Sequence, residues 1–160
     1  MKLAIIFNHN KLSGRLTRFW TGCYAYHTAW VDEEAGVMYD MNLLRRRRAW
    51  PHYPEAEVIL EDFPQVTREY LERRLTEDDA RYGVVDYCLF MLRPLFHLLG
   101  YSTRNAAGVI CSEMCNIDAR ACGYDTPWPL DAPPPSPCDW FRWLLSRHHT
   151  TASEKGGSDA

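Results

Sequence analysis

Three short segments carry the side chains that could do chemistry: Tyr26-His27-Thr28-Ala29-Trp30-Val31, Val37-Met38-Tyr39-Asp40 and Val109-Ile110-Cys111-Ser112-Glu113. A cysteine in the first turn of a helix differs from one in its middle. The unpaired backbone N–H groups and the positive end of the helix dipole favour the thiolate, which is the reactive form. The N–H groups of Cys111 and Ser112 would also point toward an oxyanion forming on a carbonyl attacked by that sulfur. Such a nucleophile needs a base that also protonates the leaving group, and His27 can do this near neutral pH. Its ring lies mid-strand among apolar and aromatic residues, where an ionisable group is costly to bury without a partner. Asp40, on the strand expected to pair with it across a hairpin, would fix the tautomer and orientation of that ring. The reaction these groups suit is acyl transfer to water through a thioester.

The elements that must position them follow from periodicity. Lys2–Phe7 reads as a buried strand, and residues 13–20 as a loop with a helical turn. Residues 23–32 alternate and are rich in β-formers. They end in Asp-Glu-Glu-Ala-Gly, a turn, and residues 37–41 complete a hairpin. Glu57–Asp62 is a further strand. From Gln65 the period changes: Tyr70, Leu71 and Leu75 fit a short amphipathic helix, and residues 82–93 a more buried one stopped or bent by Pro94. A third helix is expected over residues 108–122, closed by Gly123. Six prolines between Pro127 and Pro137 imply an extended surface connection. Ser136, Pro137 and Asp139 then start a helix over residues 140–146. The composition turns small and polar after Arg147, which gives a domain over 1–147 and a disordered tail over 148–160. Strands followed by helices mean an α+β fold.

The order His, Asp, Cys places the nucleophile late. The strand His-Thr-Ala-Trp-Val, the following Met-Tyr-Asp, the helix opening Ile-Cys-Ser-Glu and the late Ser-Pro-x-Asp start resemble the permuted NlpC-type papain-like family. That family includes bacterial YiiX- and YaeF-like proteins and is related to lecithin:retinol acyltransferase. The resemblance runs over residues 3–145, and its specific part is the Cys-Ser-Glu and the His strand. It implies a small β-barrel or curved sheet with the cysteine helix packed on it, Cys111 as nucleophile and His27 as base. Relatives often carry Glu or His at the third position, where this chain offers Asp40. In some relatives an aromatic hydroxyl before the histidine assists the oxyanion, and Tyr24 and Tyr26 both qualify here. The implied substrate is a peptide or isopeptide amide, cell-wall peptide first, with a lipid ester or amide second. No metal or organic cofactor is required. A thioesterase or acyltransferase acting on lipid is one alternative. The other is a non-catalytic structural or binding component of a larger assembly, with protein partners.

Other residues admit plainer readings. Cys115 and Cys122 lie at i+4 and i+11 from Cys111 on one helix face, which suits a core role. The run Arg45-Arg46-Arg47-Arg48 reads as a solvated loop, or as an anion-binding patch beside the cleft for phosphate, carboxylate or lipid headgroups. Trp50, Trp128, Trp140 and Trp143 suit packing, as does Tyr87, whereas Asp86 has no evident role. His9, His52 and His97 have no evident partner, and His148 and His149 fall in the expected tail.

At 160 residues, 46% apolar and 24% charged, the chain is the size and composition of one folding domain. A net charge of −3 argues against a protein built to hold nucleic acid. The apolar run near Met1 is too short for a signal peptide, and no stretch reaches the roughly eighteen apolar residues of a membrane span. Synthesis in the cytoplasm is therefore expected. On that ground the six cysteines are expected as free thiols, since they lack the C-x-x-C pairs of a zinc site.

Overall fold

The computed structural model describes residues 1–7, 23–42, 44–53, 56–77, 98 and 110–155. The expected elements over 13–20 and 82–93 lie outside these residues, as do His9, Asp86, Tyr87 and His97.

Five strands form one antiparallel sheet: β1 (Lys2–Phe7), β2 (Ala25–Asp32), β3 (Val37–Asn42), β4 (Leu44–Ala49) and β5 (Glu57–Asp62). Three helices follow, α1 (Arg68–Glu77), α2 (Cys111–Ala121) and α3 (Pro137–Lys155). The spatial order is β4-β3-β2-β1-β5. The architecture is therefore α+β, with an open sheet. No helix among the described residues is long and apolar enough to cross a membrane.

Period-two alternation sorts the side chains. Leu3, Ile5 and Phe7 of β1 join Trp30, Tyr39 and Met41 in a core that also holds Cys111, Met114, Cys115 and Trp140 from the helices. Ala4 and Ile6 join Ala29, Val31 and Met38 on the other face, with Trp50, Tyr53 and Ala56 packed against them. The chain from β4 to β5 must pass from one sheet edge to the other, and these residues belong to that crossing. Both faces of the central strands are thus covered, which explains why β1 reads as a continuous apolar run.

The arginine run is a strand and not the solvated loop expected from its charge. Met41 pairs with Arg45, Tyr39 with Arg47, Asp40 with Arg46 and Met38 with Arg48. Alternation sends Arg45 and Arg47 to the helix side and Arg46 and Arg48 to the opposite side. Arg45 makes a two-pronged, buried pair with Asp118 of α2, at 2.8 and 3.1 Å. Arg47 meets Glu72 of α1 at 3.1 Å, and Arg48 meets Asp40 at 3.1 Å.

Three further expectations are corrected. The proline-rich connection is not all surface: Pro134, Pro135 and Ser136 are buried, and the Pro135 carbonyl accepts from Ser112 Oγ at 2.6 Å. Helix α3 starts as expected, with Ser136 and Asp139 capping each other's backbone N–H groups, but it runs to Lys155. Residues 147–155 contain neither Gly nor Pro to stop it, and His148 reaches Glu61 at 2.9 Å. Finally, the cysteines are not all free thiols. Cys23 and Cys138 form a disulfide with Cα atoms 6.1 Å apart, while Cys111, Cys115 and Cys122 are free. A bridge spanning 115 residues ties the lead-in of β2 to the first turn of α3. Cys138→Ala is expected to cost about 2–4 kcal/mol of stability, read as a lower urea midpoint of the oxidised protein. The same substitution made under reducing conditions should cost far less.

Candidate active site

Helix α2 begins at Cys111 itself, so the sulfur sits in the first turn, with Ile110 in extended backbone before it. Glu113 accepts from the Ile110 N–H at 3.4 Å, and Trp140 Nε1 donates to the Ser112 carbonyl at 3.0 Å. Together with the Ser112–Pro135 bond, these contacts fix the helix start against α3 and the buried prolines.

His27 ends the regular part of the β1–β2 ladder, next to an irregularity in β2. Ile6 pairs with His27 but Phe7 with Ala25, so Tyr26 is the extra residue of a bulge. Such bulges re-aim side chains, and here Ala25 turns toward the helices while Tyr26 and His27 face the crossing chain. The β2–β3 ladder ends at Trp30 with Tyr39, and beyond it the strands part. The Thr28 N–H, left without a rung on β3, donates to the Cys111 sulfur, as does the Ser112 N–H. The imidazole of His27 meets the sulfur at this parting.

The electrostatics follow from that meeting. Burial works to raise the Cys111 thiol, but the adjacent imidazolium and the two backbone donors outweigh it and the pKa is lowered. Burial likewise works to lower His27, but the Cys111 sulfur and the Asp40 carboxylate push it up to about 9. Both groups are buried, Cys111 6% and His27 8% exposed, and each shifts the other toward its charged form. Burial opposes the charge on Asp40 too, yet His27 and Arg48 hold its carboxyl below the usual range. The Asp40 Oδ2 stands 3.5 Å from His27 Nε2, at ion-pair range without the alignment of a hydrogen bond.

Cys111, His27, Asp40 and Ser112 are therefore brought together. Of the two tyrosines, Tyr24 packs against the cluster that contains Cys111, and Tyr26 against the cluster of the other face, its ring 6.2 Å from that of His27. The four arginines do not gather into one patch. Three hold acidic partners, and exposed Arg46 faces away from the helices. Cys115 is fully buried, its thiol pushed well up by that burial, which suits packing and not nucleophilic attack. Among the described residues no group of three or more His, Cys, Asp or Glu could hold a metal ion.

Sequence reasoning missed Asp118 and Tyr53. Asp118 is fully buried and accepts from Trp30 Nε1 at 3.1 Å, from Arg45, and from the Tyr70 hydroxyl at 3.2 Å. Its signal was the i, i+7 spacing from Cys111, which puts it on the inward face. Tyr53 lies on the crossing chain, where no periodicity marks it.

Family models, curated proteins and solved structures were compared with the chain. None matches.

Proposed function

We propose that the protein is a small cysteine hydrolase of the permuted papain-like kind, cleaving an amide through a thioester. The observation that carries this reading is a buried cysteine at a helix N-terminus paired with a buried histidine, each favouring the charged form of the other, with a carboxylate behind the imidazole. An inert core cysteine gains nothing from such an arrangement, and the contrast with Cys115 on the same helix makes the point.

In this mechanism the Cys111 thiolate attacks the carbonyl carbon, and the C–S bond forms as the carbonyl electrons move to oxygen. The Ser112 N–H and the α2 dipole stabilise that oxyanion, and Tyr24 and Tyr26 are the two hydroxyls that could assist. His27 gives its proton to the leaving amine as the C–N bond breaks. A water then enters, His27 removes its proton, and hydroxide adds to the thioester. Collapse breaks the C–S bond, releases the acid and restores the thiolate beside the imidazolium that His27 became on taking the proton from water. Asp40 keeps the ring oriented throughout. Peptide or isopeptide amides, cell-wall peptide first, remain the preferred substrates. The arginine patch that would have favoured a lipid headgroup is divided between two faces.

The test is incubation with purified peptidoglycan and with phospholipid, followed by mass analysis of products. Release of peptide fragments supports the reading. Lipid products would move the substrate to the acyl-ester class, and no product together with slow labelling of Cys111 would leave a scaffold. The pH dependence is a sharper check. The reactive ion pair exists between the lowered pKa of Cys111 and the raised pKa of His27, so kcat/KM should hold a plateau over neutral pH. Above about 9 it should fall, because His27 then lacks the proton the leaving group needs. Iodoacetamide should label Cys111 rapidly well below the pH at which an ordinary thiol ionises.

A further inference from the structure

Asp40 is fully buried, and three groups from three elements converge on its carboxylate. Arg48 of β4 donates its Nε to Oδ1 at 3.1 Å. Oδ2 accepts from the Tyr53 hydroxyl at 3.4 Å and faces His27 Nε2 at 3.5 Å. The Tyr53 ring also meets the His27 ring edge to face, 5.7 Å between centroids. One buried negative charge is thus shared between two cations, and one of its oxygens between two donors. In a site closed to water such sharing is not screened away.

We propose that Arg48 and Tyr53 are positioning residues of the catalytic pair, which hold the Asp40 carboxylate in one orientation and limit how tightly it grips the His27 imidazolium. A carboxylate given wholly to His27 would keep its proton from the leaving group, since a base that is too strong is a poor acid. Arg48 prevents this by drawing charge from Asp40 at Oδ1. Tyr53 does so by occupying Oδ2. Burial and the Asp40 charge keep the Tyr53 phenol protonated, so it remains a donor over the working range. Arg48 reaches this place through strand alternation, and Tyr53 because the chain between β4 and β5 crosses this face of the sheet.

The groups that face His27 are Cys111 from α2, Asp40 from β3, Tyr26 on its own strand and Tyr53 from the crossing chain, with Arg48 of β4 bonded to the far oxygen of Asp40. His52 stands behind Arg48, its Nε2 3.4 Å from Nη1. The inference rests on the ion-pair reading of Cys111 and His27, so the experiment reads each separately. NMR titration of the His27 ring in the full chain is combined with the pH dependence of Cys111 alkylation by iodoacetamide. The expected result is that Arg48→Gln moves the His27 midpoint upward by about half a unit or more. Arg48→Lys should restore most of the original value. Tyr53→Phe, which keeps the ring, should give a smaller upward shift and decides the matter should Arg48→Gln not fold. A merely structural role predicts the opposite sign, because a loosened site moves the Cys111 and Asp40 charges away from His27 and lets it drift down toward its ordinary 6.5. An unchanged or lowered midpoint in folded variants overturns the proposal. An ordinary midpoint with slow alkylation in the unsubstituted protein overturns the ion-pair reading instead.

Discussion

Cys111→Ala is expected to remove hydrolysis altogether, a loss of about 10⁴-fold or more, while the protein keeps its fold. The side chain is small and its helix start is held by other contacts, from Ser112 to Pro135 and from Trp140 to Ser112, so the stability cost should be about 1 kcal/mol. His27→Ala should be nearly as damaging, since it removes both the group that keeps the sulfur ionised and the acid for the leaving group. Triad members act as a unit. The double variant should therefore be little worse than Cys111→Ala alone. Asp40→Asn should lose less, because the amide keeps the shape and loses only the charge. Cys115→Ala is the control: about 1 kcal/mol of stability and full turnover. Activity that survives in Cys111→Ala and disappears in Cys115→Ala would move the nucleophile one turn along the helix. Turnover unaffected by all four single changes would end the hydrolase reading.

How much of this was legible in the sequence depends on the range of the physics involved. The β2–β3 hairpin, β1, β5 and the capped start of α3 depend on alternation, on the turn after Asp32 and on Ser136 with Asp139, all local signals. The hairpin was also enough to bring Asp40 near His27. Strand β4 was hidden because four successive charges read as solvated, yet an edge strand carries charges readily when alternation brings three of them to acidic partners and leaves Arg46 exposed. Those partners, Asp118, Glu72 and Asp40, are 73, 25 and 8 residues away, so local sequence could not supply them. The disulfide, whose cysteines lie 115 residues apart, was missed because cytoplasmic synthesis implied free thiols. The bulge at Tyr26 also escaped, because a single inserted residue leaves the composition of the strand unchanged. It is this bulge that turns Ala25 to the helix side, whereas His27 keeps the face that its regular rung with Ile6 gives it.

The second large effect belongs to Asp118, which does no chemistry. Asp118 lies two turns beyond Cys111 on α2 and joins it to β4 through Arg45, to β2 through Trp30 and to α1 through Tyr70. Arg74 stands 3.9 Å away. Asp118→Ala would strip the acid from Arg45, whose side chain is only 3% exposed, and leave its charge facing the core. Removing one partner of such a pair costs about 3–5 kcal/mol, far more than the pair adds over an apolar replacement. The urea midpoint of Asp118→Ala should fall accordingly, and that of Asp118→Asn by less, because the amide oxygen can still accept from Trp30. Arg45→Met combined with Asp118→Leu should recover much of the loss, since it removes both charges and fills the space. The consequence for chemistry comes through rotation of α2. A helix no longer locked at Asp118 can turn, and a sulfur displaced by about 1 Å loses much of its alignment with the imidazole. Asp118→Asn should therefore label more slowly with iodoacetamide at neutral pH even where it is fully folded. A loss below about 1 kcal/mol for Asp118→Ala, with labelling unchanged, would show that the other contacts at the helix start suffice to hold Cys111.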